Sequence, residues 1–156
     1  DVDVVFFRHP ERKSIRQEVI AAAQLSKISR REFNRSLIEL KRFISEGFVD
    51  NLLIEANVII RRHKNTAVIK MMENWWDLFS SGVNRDQLTL PFVIYKNKGV
   101  KLKIHETLNI RKDNDFFICR PHAKNNFSDW FLSAIRKAKF FIFPRHYWDK
   151  KVNRIL

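Results

Sequence analysis

Four short polar clusters follow or flank apolar runs, and they hold most of the side chains able to do chemistry in this chain. Arg8-His9-Pro10-Glu11-Arg12 follows Val4-Val5-Phe6-Phe7. Glu55 and Asn57 precede Val58-Ile59-Ile60, and Arg61-Arg62-His63 closes that run. Arg85-Asp86-Gln87 comes shortly after Gly82, and Arg120-Pro121-His122-Ala123-Lys124 follows Phe116-Phe117-Ile118-Cys119. Imidazoles act as bases or ligands, guanidiniums pair with anions, and a carboxylate offsets developing positive charge. In α/β proteins such residues form ligand sites at strand ends and helix N-termini. The plainer reading is that they are solvated loop residues, with Asp86 offsetting a helix dipole.

The elements that must position these clusters are legible from periodicity. Val4 to Phe7 predicts a buried strand that Pro10 stops, since proline cannot donate to a ladder. Ser14 caps a predicted helix with Ile15, Val19, Ala22 and Ala23 on one face. A second helix carries Phe33, Leu37, Leu40 and Ile44 and ends at Gly47. The basic stretch between them is expected to be exposed. Val58-Ile59-Ile60 predicts a buried central strand. Glu55 is costly to bury unpaired, so it is either exposed or paired with an arginine, with Arg62 a candidate partner.

A third helix places Val68, Met71, Met72, Trp75 and Phe79 on one face, and Gly82 is expected to stop it with φ > 0. Asn84 is a plausible N-cap for the next helix, with Gln87 completing a capping box. Pro91 limits or kinks that helix. Val100, Leu102 and Ile104 alternate with Lys101, Lys103 and His105, as in a half-buried strand. Phe116 to Cys119 reads as another buried strand. Ser128 caps a predicted helix through Phe143, and Pro144 ends it, with a basic aromatic tail beyond.

The blocks Phe7-Arg8-His9-Pro10-Glu11-Arg12, Ile54 to His63, Trp75-Trp76 and Arg85-Asp86-Gln87-Leu88 occur in the order seen in a family of glycosyltransferase-like proteins of plants and bacteria. The chain resembles that family from Asp3 to about Tyr95. The resemblance implies an α/β fold of the GT-A kind, distantly similar to glycogenin-like transferases. It implies transfer of a sugar from a nucleotide-sugar donor to an acceptor hydroxyl, in polysaccharide or glycoconjugate synthesis, with a divalent metal (Mn2+ or Mg2+). On that resemblance Asp86 and Gln87 are the catalytic candidates. His9, Arg12, Glu55, Asn57, Arg62, His63, Trp76, Arg85 and Lys124 are substrate-binding candidates, and His122 is the metal candidate. Trp76, one step off the apolar face, either stacks on a sugar ring or packs in the core. Asp1-Val2-Asp3 resembles a metal motif but matches the family's ordinary Asp before the first strand.

Length and composition set the bounds. The chain has 156 residues, enough for one moderate core, and 45% hydrophobic content argues against disorder. Only 3 Gly are present, and no phosphate loop of the P-loop or dinucleotide kind occurs. With neither that loop nor a credible Asp-x-Asp metal motif present, the resemblance implies that the chain is the C-terminal portion of a transferase lacking its nucleotide-binding half. The expected division is residues 1–127 as an α/β domain and 128–156 as a basic, aromatic helix and tail. Thirty Lys and Arg against 17 Asp and Glu give a net charge of +13, which attracts polyanions. Two rivals to a transferase follow: a basic nucleic-acid-binding module, and an inactive transferase-like scaffold. The spread of basic residues and the absence of a binding motif argue against nucleic acid. The lone Cys119 fits a reducing compartment and is expected to be buried and inert. No apolar run is long enough to span a bilayer. A cytoplasmic protein is expected, with residues 128–156 either docked on the domain or lying peripherally on the anionic inner face of a membrane.

Overall fold

Strand β1 (Val4–Arg8) is the middle of a three-stranded sheet in a computed structural model that describes residues 1–82, 85–120 and 145–156. Its neighbours are β2 (Ile54–Arg61), antiparallel, and β3 (Leu102–His105), parallel. Five helices accompany this mixed sheet among the described residues: α1 (Ile15–Gln24), α2 (Arg30–Ser45), α3 (Thr66–Ser81), α4 (Asp86–Lys96) and α5 (Arg145–Ile155). The α/β class expected from the sequence is thus present in its coarse form. None of these helices is long and apolar enough to cross a membrane.

Local chemistry explains the helix starts. The Ser14 hydroxyl accepts the Gln17 N–H at 3.2 Å, and the Asp50 carboxylate takes the N–H groups of Ile15 and Arg16 at 2.6 and 3.0 Å. Ser29 and Glu32 form a reciprocal capping box at the head of α2. Asn65 caps α3 through the N–H groups of Ala67 and Val68. Asp3 accepts from the Asn65 amide and from the Lys101 N–H, tying the start of β1 to both neighbouring segments.

Two apolar clusters share helix α4. On one side Leu88 and Phe92 join Ile15, Val19, Phe33, Leu37, Leu40 and Phe43 of α1 and α2. Phe43 and Phe92 stack there with ring centroids 3.9 Å apart. On the other side Leu90, Val93 and Ile94 meet Val4 and Phe6 of β1, Ile54 of β2, and Val68 and Met71 of α3. A helix with two cores has no solvent face, which is why Leu88 to Ile94 are all buried.

Several expectations are corrected. Ile60 is 55% exposed, because β2 lies at the edge of the described sheet. Ile44 is exposed; α2 buries Phe43 instead. Gly82 has φ −102°, so no left-handed residue is needed; a Cβ there would lie 2.7 Å from the Leu78 carbonyl. Gly47 is the glycine with φ +88°. Helix α4 continues through Pro91 without being ended by it. Its N-cap is Arg85, with no side-chain cap bond, so the expected box with Gln87 does not form.

Residues Phe116 to Cys119 form no strand, and Phe116 and Ile118 are 76% and 82% exposed. The Asn114 and Asp113 side chains take the N–H groups of Phe116, Phe117 and Cys119, holding the backbone in turns in place of a ladder. Cys119 is half-buried. The stretch after Pro144, expected as a tail, is helix α5, which sets Val152 and Trp148 against the α1–α2 cluster. The helix predicted from Ser128 to Phe143 lies outside the described residues.

Candidate functional site

Where β1 ends, three sequence blocks meet. The register places Glu55 of β2 opposite Phe7, so its carboxylate reaches the imidazole of His9 just beyond the strand. Arg12 lies in the following loop. Glu18, in the first turn of α1, turns toward the same place. Arg85 arrives from the head of α4, and Arg111 from the loop after β3.

The contacts form one ionic network in which buried carboxylates meet partly exposed guanidiniums. Glu18 accepts Arg12 Nε at 2.6 Å on one oxygen and Arg85 Nη2 at 3.0 Å on the other. Glu55 Oε1 pairs with Arg111 Nη2 and lies 3.2 Å from His9 Nε2. The side chains of His9, Glu18 and Glu55 are sealed from solvent. An isolated buried carboxylate costs several kcal/mol, so each of these requires its cation. The glutamate–arginine pairing expected for Glu55 is formed, but its partner is Arg111. Arg62 instead pairs with Asp1 at the surface.

His9 is a fixed, neutral ring. Its Nδ1 accepts the backbone N–H groups of Glu11 and Arg12 at 3.1 and 3.0 Å. The ring proton therefore belongs on Nε2, facing Glu55. Arg12 and Arg111 also touch Nε2, with Nη2 atoms at 2.7 and 3.1 Å. Burial first, and then these two guanidiniums, push the imidazole pKa down to about 3. Three guanidiniums then face the two buried carboxylates and a neutral imidazole, and Arg12 also pairs with the exposed carboxylate of Glu11 at 3.1 Å, so the formal charges balance. Among the described residues, the buried Arg85 Nε–H has no hydrogen-bond partner, and Glu55 Oε1 has ion-pair contacts but no well-aligned hydrogen bond.

On the other side of the head of α4 lies a groove of about 290 Å³, lined by Arg61, Met72, Trp75, Trp76, Phe79 and Asp86. Asp86 is half-buried, and its Oδ1 accepts the Gln87 N–H at 2.8 Å. Trp75 is held by its Nε1–H on the Thr89 hydroxyl at 3.0 Å and packs inward. Trp76 is 65% exposed and stacks near-parallel on Phe79 at 5.8 Å, so it belongs to the groove and not the core. An adjoining groove of about 360 Å³ shares Arg61, Met72 and Trp76 and reaches His63.

The structure thus gathers His9, Arg12, Glu55 and Arg85 in one cluster, and Trp76, Asp86 and His63 along the grooves. Asn57 is exposed on β2 and joins neither, and Arg62 is held at the start of the chain. Gln87 is half-buried beside Asp86. His122 and Lys124 lie outside the described residues. No three His, Cys, Asp or Glu side chains converge as metal ligands among the described residues.

Sequence reasoning missed Glu18 and Arg111. Glu18 carried a signal: it shares the apolar stripe of Ile15, Val19 and Ala22, where an unpaired carboxylate is out of place. Arg111 carried none beyond its neighbour Ile110, which is buried and anchors the loop. Compared with family models, curated proteins and solved structures, the chain matches none.

Proposed function

We propose that this chain is the C-terminal part of a GT-A-like glycosyltransferase that moves a sugar from a nucleotide-sugar donor to an acceptor hydroxyl in polysaccharide or glycoconjugate synthesis. One observation carries the reading. Arg85 and Asp86, adjacent at the head of α4, serve two neighbouring sites, an arginine cluster and an aromatic groove. Glycosyl transfer needs that division. As the bond from the anomeric carbon to the diphosphate breaks, negative charge builds on the leaving group and positive charge on the sugar.

Guanidinium forks match phosphate oxygens, and Arg12, Arg85 and Arg111 bring three of them together at the end of β1. Asp86 offers a carboxylate to the anomeric centre. The exposed face of Trp76 suits the C–H face of a sugar ring. The buried Glu18 and Glu55, with neutral His9, hold the arginines in place. The divalent metal implied by the resemblance finds no ligand set among the described residues, so no step is assigned to it. Peripheral attachment to the inner face of a membrane through residues 128–156 belongs to the same proposal.

The test is a donor screen on the full-length gene product. Protein is incubated with a panel of nucleotide sugars and glycan acceptors, and released nucleoside diphosphate is measured. One donor class is expected to be consumed, and Asp86→Asn to abolish that turnover. A folded full-length protein that consumes no donor, or an Asn variant as active as the parent, would count against transfer.

A further inference from the structure

A separate cavity, of about 530 Å³, lies where the turn between α1 and α2 meets α5. It has the volume of a small-molecule site. Lys27, Arg30 and Lys151 line it, and no carboxylate does among the described residues. Among the described residues none of these three cations has an ion-pair partner, in contrast to the arginines at the end of β1. Lys151 instead sits over two rings, 5.0 Å from the Phe33 centroid and 5.9 Å from that of Trp148. Burial and the neighbouring charge of Arg30 hold the Lys151 ammonium below its usual pKa. Two cations facing each other without a counter-ion are stabilised by any anion placed between them.

Two further features distinguish the place from a merely basic surface. The buried Gln24 Nε2 on the cavity wall has no hydrogen-bond partner among the described residues. Phe33 and Trp148, with centroids 5.1 Å apart, form an apolar wall beside the cations. At the head of α2 the capping box already takes the N–H groups of Ser29 and Glu32, so the charge that would hold the anion comes from the side chains.

We infer that this cavity binds a phosphate-bearing ligand, with Lys27, Arg30 and Lys151 on the phosphate and with Phe33 and Trp148 against the group it carries. The phosphate is that of a soluble ester or of a lipid headgroup. The inference does not depend on the transferase reading, since none of its residues belongs to the arginine cluster or the groove.

The indole N–H resonance of Trp148 provides a local readout, assigned by its loss in Trp148→Phe. The labelled chain is titrated with inorganic pyrophosphate in one arm. In the other it meets vesicles of phosphatidylcholine with or without phosphatidic acid. A saturable response of Trp148 to pyrophosphate supports a soluble ligand, and a response only to phosphatidic acid supports a headgroup. In either case Lys151→Gln and Arg30→Gln are expected to weaken binding about tenfold each, while Lys70→Gln on α3 leaves it unchanged. Retained spectral dispersion shows that the variants fold. No response of Trp148 in either arm, or equal affinity in the folded Lys151→Gln and Arg30→Gln variants, overturns the inference.

Discussion

His9 Nε2 lies 3.2 Å from Glu55 Oε1, and neither side chain reaches solvent. Two guanidiniums crowd the same imidazole edge, so the native ring refuses a second proton until about pH 3. An unfolded chain accepts it near the ordinary value of 6.5. Above pH 6.5 both states are neutral and His9 adds no pH dependence. As pH falls from 6.5 toward 3, the unfolded chain binds a proton that the native state excludes, and stability is lost. The loss attributable to His9 reaches about 2 kcal/mol by pH 5. Urea unfolding of the parent and of His9→Gln between pH 7 and pH 4.5 checks this. The parent is expected to lose stability more steeply, and parallel profiles would remove His9 as the source.

Glu18 bridges Arg12 and Arg85, and through them the β1–α1 loop and the head of α4. Removing its charge strands two partly buried guanidiniums. Glu18→Gln is expected to lower stability by about 3–5 kcal/mol, as for a broken buried pair. Replacing Arg12 or Arg85 by Met in the same background should recover part of that loss, because fewer cations remain uncompensated. Chemical unfolding of the single and double variants measures both effects. A loss below about 1 kcal/mol would mean that water satisfies the arginines as well as Glu18 does.

Asp86 separates a structural role from a catalytic one. As a first-turn carboxylate it offsets the helix dipole, and Asp86→Asn then costs about 0.3–1 kcal/mol with turnover intact. As the groove carboxylate of a transferase, its loss lowers kcat by orders of magnitude at nearly unchanged melting temperature. On the proposed function, the expected result in the full-length protein is collapse of turnover with a small melting shift. Near-normal turnover leaves only the dipole role.

Trp76 stands 65% exposed beside Asp86, so its removal leaves little of the core unfilled. Trp76→Ala is expected to shift the melting temperature only slightly. If the ring stacks on a sugar, KM for the sugar substrate should rise by about fivefold to tenfold, the equivalent of roughly 1 kcal/mol of aromatic contact. Trp76→Phe should restore most of it. A marked loss of stability with unchanged KM would show that the ring acts in packing.

Residues 128–156 carry the membrane expectation. Co-sedimentation with anionic vesicles should be salt-sensitive and should fall when residues 144–156 are removed, since each basic residue near such a surface contributes about 1 kcal/mol. Helix α5 packs Val152 into the α1–α2 cluster, so the truncated chain must first be shown to melt cooperatively. Equal binding with and without that segment would place any membrane contact elsewhere.

Local chemistry was readable from the chain alone. Ser14 caps α1 because hydroxyls satisfy helix N–H groups wherever they occur, and the period of Phe33, Leu37 and Leu40 marks a buried helix face in any fold. The strand of Val4 to Phe7 and the alternation around Leu102 followed from the same short-range rules. His9, Arg12, Glu55 and Arg85 were each singled out from their positions at the ends of apolar runs and from the family resemblance.

Short-range rules thus set the kind of element for β1, β3 and the first four helices, but they misread Phe116 to Cys119 as a strand and the stretch after Pro144 as a tail. Tertiary structure decided which ends meet. Glu55 could have paired with Arg62, close in sequence; the antiparallel register sets Glu55 opposite Phe7 and turns it to His9 and Arg111 instead. The edge position of β2 exposes Ile60, and the two-sided packing of α4 buries a segment that carries Pro91. Periodicity set Trp75 on the apolar face of α3 but left Trp76 open between groove and core, and the packing of α3 leaves Trp76 at the groove. Periodicity acts through a few neighbouring residues, whereas a buried ion pair is set by register and by what else is there to neutralise a charge that water no longer reaches.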